Sequence, residues 1–349
     1  MKFQSVDNLQ AEVNFRKKLA KQHVTGEMIM PDYYNKEDHD RILLERINKT
    51  IKEIHAIGEK VCISPFIELG AERCQRSLVL SNDFNATGIA IDISFDQLRT
   101  ADHFAKLFNR PKLPLRVCCD ANHLPVRNNA IPFAFCYEFL HHFPSPTPIL
   151  MEIYRILSEG YFFFSEEPFQ RPKIVLYKQK HKCYSKVNLR KTKLIRFMES
   201  FISEPYSDEV ENGIIENEKI PLHEWAKGLS VFDDTDISLN SAGLKSTLRK
   251  KIGFSNLANL MLGGEIKGLC SKHDGRNSTE TNDLTELLTC PECRLQPGEL
   301  NTDLQPALRR ESNLLECTYC GAKYPIIDGV IILLPKYLFR NLYPGFMTT

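Results

Sequence analysis

From residue 60 onward, five short apolar runs at 61–69, 88–93, 115–119, 131–137 and 161–165 are separated by stretches long enough for helices. Runs of this length fit strands covered on both faces, and strands spaced by helix-length segments are the pattern of successive βαβ units. The sequence therefore predicts an α/β fold with a doubly wound, mostly parallel sheet and helices on both sides. The first 58 residues follow another period. Over 38–57, Leu44, Ile47, Ile51 and Ile54 recur at three- and four-residue intervals, which predicts a helical layer that closes over the larger domain as a lid, with Tyr33 and Tyr34 beside it.

At 349 residues and 42% hydrophobic content the chain exceeds one compact domain, so a large unit and a small one are expected. Residues 59–270 form the large unit, with an insertion at about 168–230. The stretch 268–283 is polar and nearly free of apolar residues, which predicts a linker over 271–283, then a small module at 284–336 and a tail at 337–349. Lys plus Arg (45) balances Asp plus Glu (44), so no global field draws the chain to a polyanion. No apolar run is long enough to span a bilayer, and a cytoplasmic protein is expected. Seven of the eleven cysteines are scattered and read as small buried hydrophobes of a reducing compartment.

In a doubly wound sheet, ligands sit at the carboxyl ends of the strands. The first strand-to-helix turn reads Glu68-Leu69-Gly70-Ala71-Glu72-Arg73-Cys74, and about twenty residues beyond Gly70 the second strand ends at Asp92. An acid at that tip can accept hydrogen bonds from both hydroxyls of a ribose. The third strand ends in Asp120-Ala121, and the fourth runs into Glu138-Phe139-Leu140-His141-His142. No Ser-His-Asp or paired-carboxylate pattern suggests hydrolysis.

This ordered set, over residues 60 to 167, resembles the class I, Rossmann-like S-adenosylmethionine-dependent methyltransferases. The resemblance implies that Glu68 and Gly70 hold the methionine portion of S-adenosylmethionine, that Asp92 holds ribose, and that Asp120 with Ala121 meets adenine. It also puts His141 and His142 at the acceptor, as candidate catalytic residues; Glu166, Glu167 and His223 are further candidates for a base. The chain departs from the family at Glu72 and Cys74, where glycines are usual. Larger side chains there are expected to narrow the space for the cofactor.

Cys290-Pro291-Glu292-Cys293 and Cys317-Thr318-Tyr319-Cys320 are two Cys-x-x-Cys knuckles separated by 23 residues. Four thiolates in two such pairs satisfy the tetrahedral preference of zinc and leave no open position, so a structural Zn2+ is expected. The run Tyr324-Pro325-Ile326-Ile327-Asp328-Gly329 that follows completes a stretch, 284–336, that resembles the zinc-binding activator protein of tRNA and translation-factor methyltransferases. That resemblance implies a module docked in cis on the methyltransferase domain through its apolar strand.

The acceptor is less constrained. Residues 171–196 carry ten Lys or Arg and no acid, interleaved with Tyr177 and Tyr184, whereas 199–224 is acidic. A small-molecule or glycan-like acceptor is the first expectation, and RNA bound through 171–196, or a protein, the alternative. A zinc-stabilised interaction protein on a degenerate methyltransferase scaffold is the non-enzymatic alternative. His223-Glu224-Trp225 fits either an acceptor-pocket wall or the core.

Overall fold

The computed structural model describes residues 4–29, 35–58, 61–169, 176–178, 203–204, 208–217, 220–241, 244–247, 263–274, 283–295 and 305–348. Tyr33, Tyr34 and most of the basic segment 171–196 lie outside them.

The strands are β1 (Phe66–Leu69), β2 (Gly88–Asp92), β3 (Leu115–Cys118), β4 (Ile131–Tyr137), β5 (Leu157–Phe169), the short pair β6 (Tyr177–Lys178) and β7 (Ser203–Glu204), β8 (Asp234–Ser241), β9 (Leu244–Thr247), β10 (Gly264–Lys272), β11 (Leu308–Glu311), β12 (Leu314–Cys317), β13 (Lys323–Ile327) and β14 (Val330–Ile332). Among the described residues twelve of them form one sheet in the order β11-β12-β13-β14-β3-β2-β1-β4-β5-β10-β8-β9. The six from β14 to β5 are mutually parallel, and the three on either flank are antiparallel. The predicted parallel centre is thus present. Its order reverses between β1 and β4, which opens a crevice at their carboxyl ends.

The helices are α1 (Val6–Thr25), α2 (Lys36–Gly58), α3 (Gln75–Asp83), α4 (Phe95–Leu98), α5 (Ala101–Leu107), α6 (Thr147–Ile156), the turn α7 (Asp208–Glu211), α8 (Leu222–Leu229), α9 (Pro291–Arg294) and α10 (Lys336–Leu342). In α1 the Ser5 hydroxyl accepts from Asn8 N–H at the start and Gly26 ends the helix at φ 74°. Its buried face includes Leu9, Val13, Arg16 and Leu19, an apolar stripe interrupted by one guanidinium. On α2 the buried face is His39, Leu43, Ile47, Thr50 and Ile54. Leu44, expected on that face, is 49% exposed, because it stands about 100° around the helix from Leu43.

Two further expectations are corrected. The linker predicted over 271–283 begins too early, since Ser271 and Lys272 close β10, while 275–282 lie outside the described residues. Lys272 is polar yet 5% exposed, because its ammonium donates to Asn129 Oδ1 and to the carbonyls of Tyr154 and Leu157. Cys62 is exposed, although Cys74, Cys118, Cys119, Cys136 and Cys270 are buried as expected. Trp225 belongs to the core: it stacks on Phe164 with ring centroids 5.6 Å apart and donates to the Pro168 carbonyl.

The C-terminal segment joins the main sheet. β14 pairs in parallel with β3, Val330 opposite Arg116 and Ile332 opposite Cys118, and Leu333 N–H continues the ladder to the Cys118 carbonyl. Beyond it, α10 leads to Tyr343, whose hydroxyl donates to the Ile93 carbonyl at 2.6 Å and accepts from Phe95 N–H at 2.9 Å. Both partners lie just after the tip of β2. Tyr343→Phe leaves the Phe95 N–H without its partner and the Ile93 carbonyl with only the Cys118 thiol, at 3.2 Å, and is expected to lower unfolding stability by about 1–3 kcal/mol, read from urea midpoints at unchanged slope.

Candidate cofactor site and cysteine cluster

The crevice holds a cavity of about 450 Å³, within the range of small-molecule sites. Its floor is the set of turns after β1 to β4, and its roof is α1 and α2, which contribute Arg16, His23, His39 and Arg46. The two N-terminal helices therefore cover one side of the crevice.

The first turn is shaped by Gly70, at φ 66°. A Cβ there would also collide with the Phe139 ring, so only glycine fits. Asp92 ties this turn to the second one. Its Oδ2 accepts from Glu72 N–H at 2.8 Å and its Oδ1 from Ser94 N–H at 2.7 Å. Burial pushes the Asp92 carboxyl up to about 6, against the pull of these two N–H groups. Each oxygen keeps a second lone pair for a ligand. Asp120 caps the turn after β3 by accepting from Asn122 N–H and Nδ2, and both Asp120 and Ala121 line the cavity.

Two expectations about the first turn are corrected. Glu68 is 2% exposed and lies outside the cavity lining; its Oε2 accepts from the backbone N–H and the hydroxyl of Ser77, inside the first turn of α3. Burial raises its carboxyl to about 7. It shapes the turn from behind. Cys74 does not narrow the cavity either, because its side chain packs away from it among Ala71, Ala90, Leu98 and Cys118. Glu72 does line it, held by Arg16 at 2.9 Å, Arg73 at 3.5 Å and Arg46 at 3.9 Å. Although burial opposes its charge, these guanidiniums hold its carboxyl well below the usual range.

The opposite wall comes from the turn after β4. Glu167, fully buried, accepts from the N–H groups of Phe139 (2.7 Å), Leu140 (2.9 Å) and His141 (3.2 Å), and from His141 Nδ1 at 2.9 Å. Burial disfavours a charged His141 ring, but Glu167 outweighs it and the pKa is raised. His142 is lowered, by burial and then by the neighbouring His141. Both rings line the cavity, as does Glu166, which is paired with Lys49 and Arg76. His223 is exposed on α8 and does not reach the cavity, because the buried stripe of that helix is Trp225, Gly228 and Leu229.

Arg16, Glu209 and Glu216 belong to the site and were not expected there. Arg16 had a signal, as the charge in the apolar stripe of α1. Glu209 and Glu216 are hidden in the acidic run 199–224, where nothing separates a site carboxylate from a solvated one.

The four knuckle cysteines converge. Cys290 Sγ and Cys320 Sγ are 3.6 Å apart, Cys293 Sγ and Cys317 Sγ are 3.8 Å apart, and all four lie within 4.8 Å of one another. Zinc–sulfur bonds of about 2.3 Å set tetrahedral edges of roughly 3.8 Å, so the cluster has the size of a zinc site. The N–H groups of Tyr319 and Cys320 point at Cys317 Sγ, at 3.4 and 3.5 Å. Gly321, at φ 69°, closes that knuckle. Arg294, next to Cys293, donates to Glu152 and to the Leu124 carbonyl, and Arg155 joins the same carboxylate. Thr289 N–H and the Leu287 carbonyl pair with Pro125 and Arg127. The segment that follows Asp120 and Ala121 is thus held directly by the cysteine module.

Glu167→Gln keeps the side-chain shape but removes the charge. It is expected to cost about 1.5–3 kcal/mol of stability and to lower the His141 pKa, since the group that raises it is lost. Ring-proton NMR titration checks the second effect; an unmoved His141 midpoint would refute the assigned pairing.

Residues 67–164 match the family described as "Methyltransferase domain". No curated protein matches the chain. Among solved structures, it is similar to an S-adenosylmethionine-dependent methyltransferase from Thermotoga maritima (14% identity, 68% of this chain and 95% of that one, TM-score 0.40). A chain from the Haloferax volcanii complex of the Trm112 methyltransferase activator with a protein assigned as a methyltransferase gives the same values. Geranyl diphosphate C-methyltransferase from Streptomyces coelicolor shares 9% identity over 76% of this chain and 98% of that one, with a TM-score of 0.43. The match over 67–164 takes in the turns after β1 to β4, so the turns that line the crevice lie in a segment that matches a methyltransferase domain.

Proposed function

We propose that the protein methylates a small-molecule or glycan-like acceptor enclosed beneath α1 and α2. The observation that carries this reading is the roofed cavity itself. Among the described residues its lining has nine carboxylates (Glu12, Glu72, Asp92, Asp120, Glu138, Glu166, Glu209, Glu216, Glu265) against four guanidiniums (Arg16, Arg46, Arg73, Arg76), an excess of negative charge that disfavours a polyanion such as RNA.

The donor set fits S-adenosylmethionine. Asp92 has acceptor capacity for ribose hydroxyls, Asp120 with Ala121 would hold the adenine, and the Gly70 backbone would hold the methionine portion, with Glu68 holding that turn from behind. The cofactor, when bound, supplies an electrophilic methyl group on a sulfonium. The protein has then to hold the acceptor close and in line, and to exclude water, which is what the roof of α1 and α2 does. His141 and His142 are the proposed catalytic residues. Glu167 is acceptor-only toward His141 Nδ1, so that nitrogen carries the proton and Nε2 is left to take one from an acceptor O–H or N–H. The same carboxylate stabilises the resulting imidazolium.

The reading makes binding of S-adenosylhomocysteine pH-dependent. Asp92 accepts ribose hydroxyls as a carboxylate, and its pKa is raised to about 6, so protonation on lowering the pH through 6 removes the acceptor. Affinity measured by calorimetry is expected to fall about tenfold per pH unit below 6 and to be flat above 7. Asp92→Asn should bind at least tenfold more weakly with no such slope; a parent protein with constant affinity from pH 5 to 8 would exclude Asp92 as the contact.

The four cysteines are proposed to hold one structural Zn2+. Removing it with a strong chelator should lower the thermal midpoint by on the order of 5 °C or more and reverse on adding zinc. A chain without metal that is indifferent to zinc would exclude the role.

A further inference from the structure

Outside the cysteine cluster, His141, His142 and Glu216 bring ligand atoms within 4.8 Å of one another, at the acceptor side of the cavity. We propose that these three side chains form a second metal site, for a divalent first-row transition cation, with coordination positions open to the acceptor.

The distances carry the argument. His141 Nε2 lies 3.7 Å from Glu216 Oε2, and His142 Nδ1 lies 3.4 Å from Glu216 Oε1. Both exceed the 2.7–3.2 Å of a hydrogen bond to nitrogen. They suit ligands sharing one ion, because bonds of about 2.0–2.1 Å at tetrahedral angles set nitrogen–oxygen edges of roughly 3.4 Å. His142 Nδ1 donates to the Ile215 carbonyl at 3.2 Å, so a cation held by that nitrogen takes the place of this proton.

The surroundings are those of a metal-bound imidazole. Glu167 fixes the Nδ1 proton of His141 and aims Nε2 at Glu216, and Glu167 is itself held by three backbone N–H groups. A carboxylate on the far nitrogen is the usual support of a metal-ligating histidine. Glu12 and Glu209 also face this end of the cavity, with Arg16 bridging the two at 2.7 and 3.5 Å. Carboxylates are in excess there, which favours a cation. Two imidazoles and one carboxylate leave positions for water or an acceptor oxygen. A cation on His141 Nε2 takes the lone pair that a base would use there, so this site is an alternative to the base role proposed above, and the metal alone tests it.

The test is a Co2+ titration of tag-free chain whose four cysteines are already filled with zinc. One equivalent is expected to bind with weak ligand-field absorption and without intense sulfur-to-metal charge transfer. Glu216→Gln and His142→Gln should each weaken binding about tenfold or more, with thermal midpoints in the absence of cobalt near that of the parent. Zinc-filled chain that takes up no cobalt would overturn the proposal. So would uptake unchanged in both variants, or a thiolate-type spectrum, which would assign the cobalt to the cysteines.

Discussion

The architecture depends on β3 being hydrogen-bonded along both edges, to β2 on one side and to β14 on the other. A β3 at the edge would expose a row of unpaired N–H and carbonyl groups and set the tip carrying Asp120 and Ala121 against solvent. With β14 in place the sheet continues into β13, β12 and β11, and Cys317, at the end of β12, stands on the same hydrogen-bonded sheet as the strands whose turns line the cavity. The cysteine module and the segment that matches a methyltransferase domain are consecutive parts of one sheet.

Charge is the second constraint. The first turn lacks two glycines usual in such sites, and the structure replaces their freedom with an ionic clamp: Glu72 at φ 46° has its N–H on Asp92 and its carboxylate among Arg16, Arg46 and Arg73. Arg16 and Arg46 come from the roof, so the lid helices and the cofactor turn share one ion network. Buried pairs of this kind are costly to desolvate and costly to break, and they fix one arrangement of roof on floor.

Much of this was legible in the sequence. The strands and the places of Gly70, Asp92, Asp120 and Ala121 follow from apolar runs and tip residues, because a covered parallel strand needs continuous apolar side chains and leaves its chemistry to the turns. The knuckles were legible for the same reason, their spacing being dictated by ligand geometry. Glu68 was misjudged because a strand-end acid looks the same whether it faces a ligand or the N-terminus of the next helix. Lys272 was misread because a buried ammonium with three carbonyl or amide partners has no sequence signature. Glu216 went unseen since its neighbours in the chain are equally acidic and only the fold sets it beside the two histidines.

The place of β14 in chain order bears on biosynthesis. Every other strand of the sheet precedes residues 330–332, and β3, its partner, precedes them by more than 200 residues. At about 5–20 residues per second, the ribosome leaves the outer edge of β3 uncovered for roughly 10–40 s. During that interval the nascent chain presents an open parallel edge, and the turns that bear Asp92 and Asp120 lack Tyr343 and Arg294. A chain halted by a premature stop in this span would carry the turns that bear Asp92 and Asp120 without the strand that covers the outer edge of β3 and without Tyr343 and Arg294.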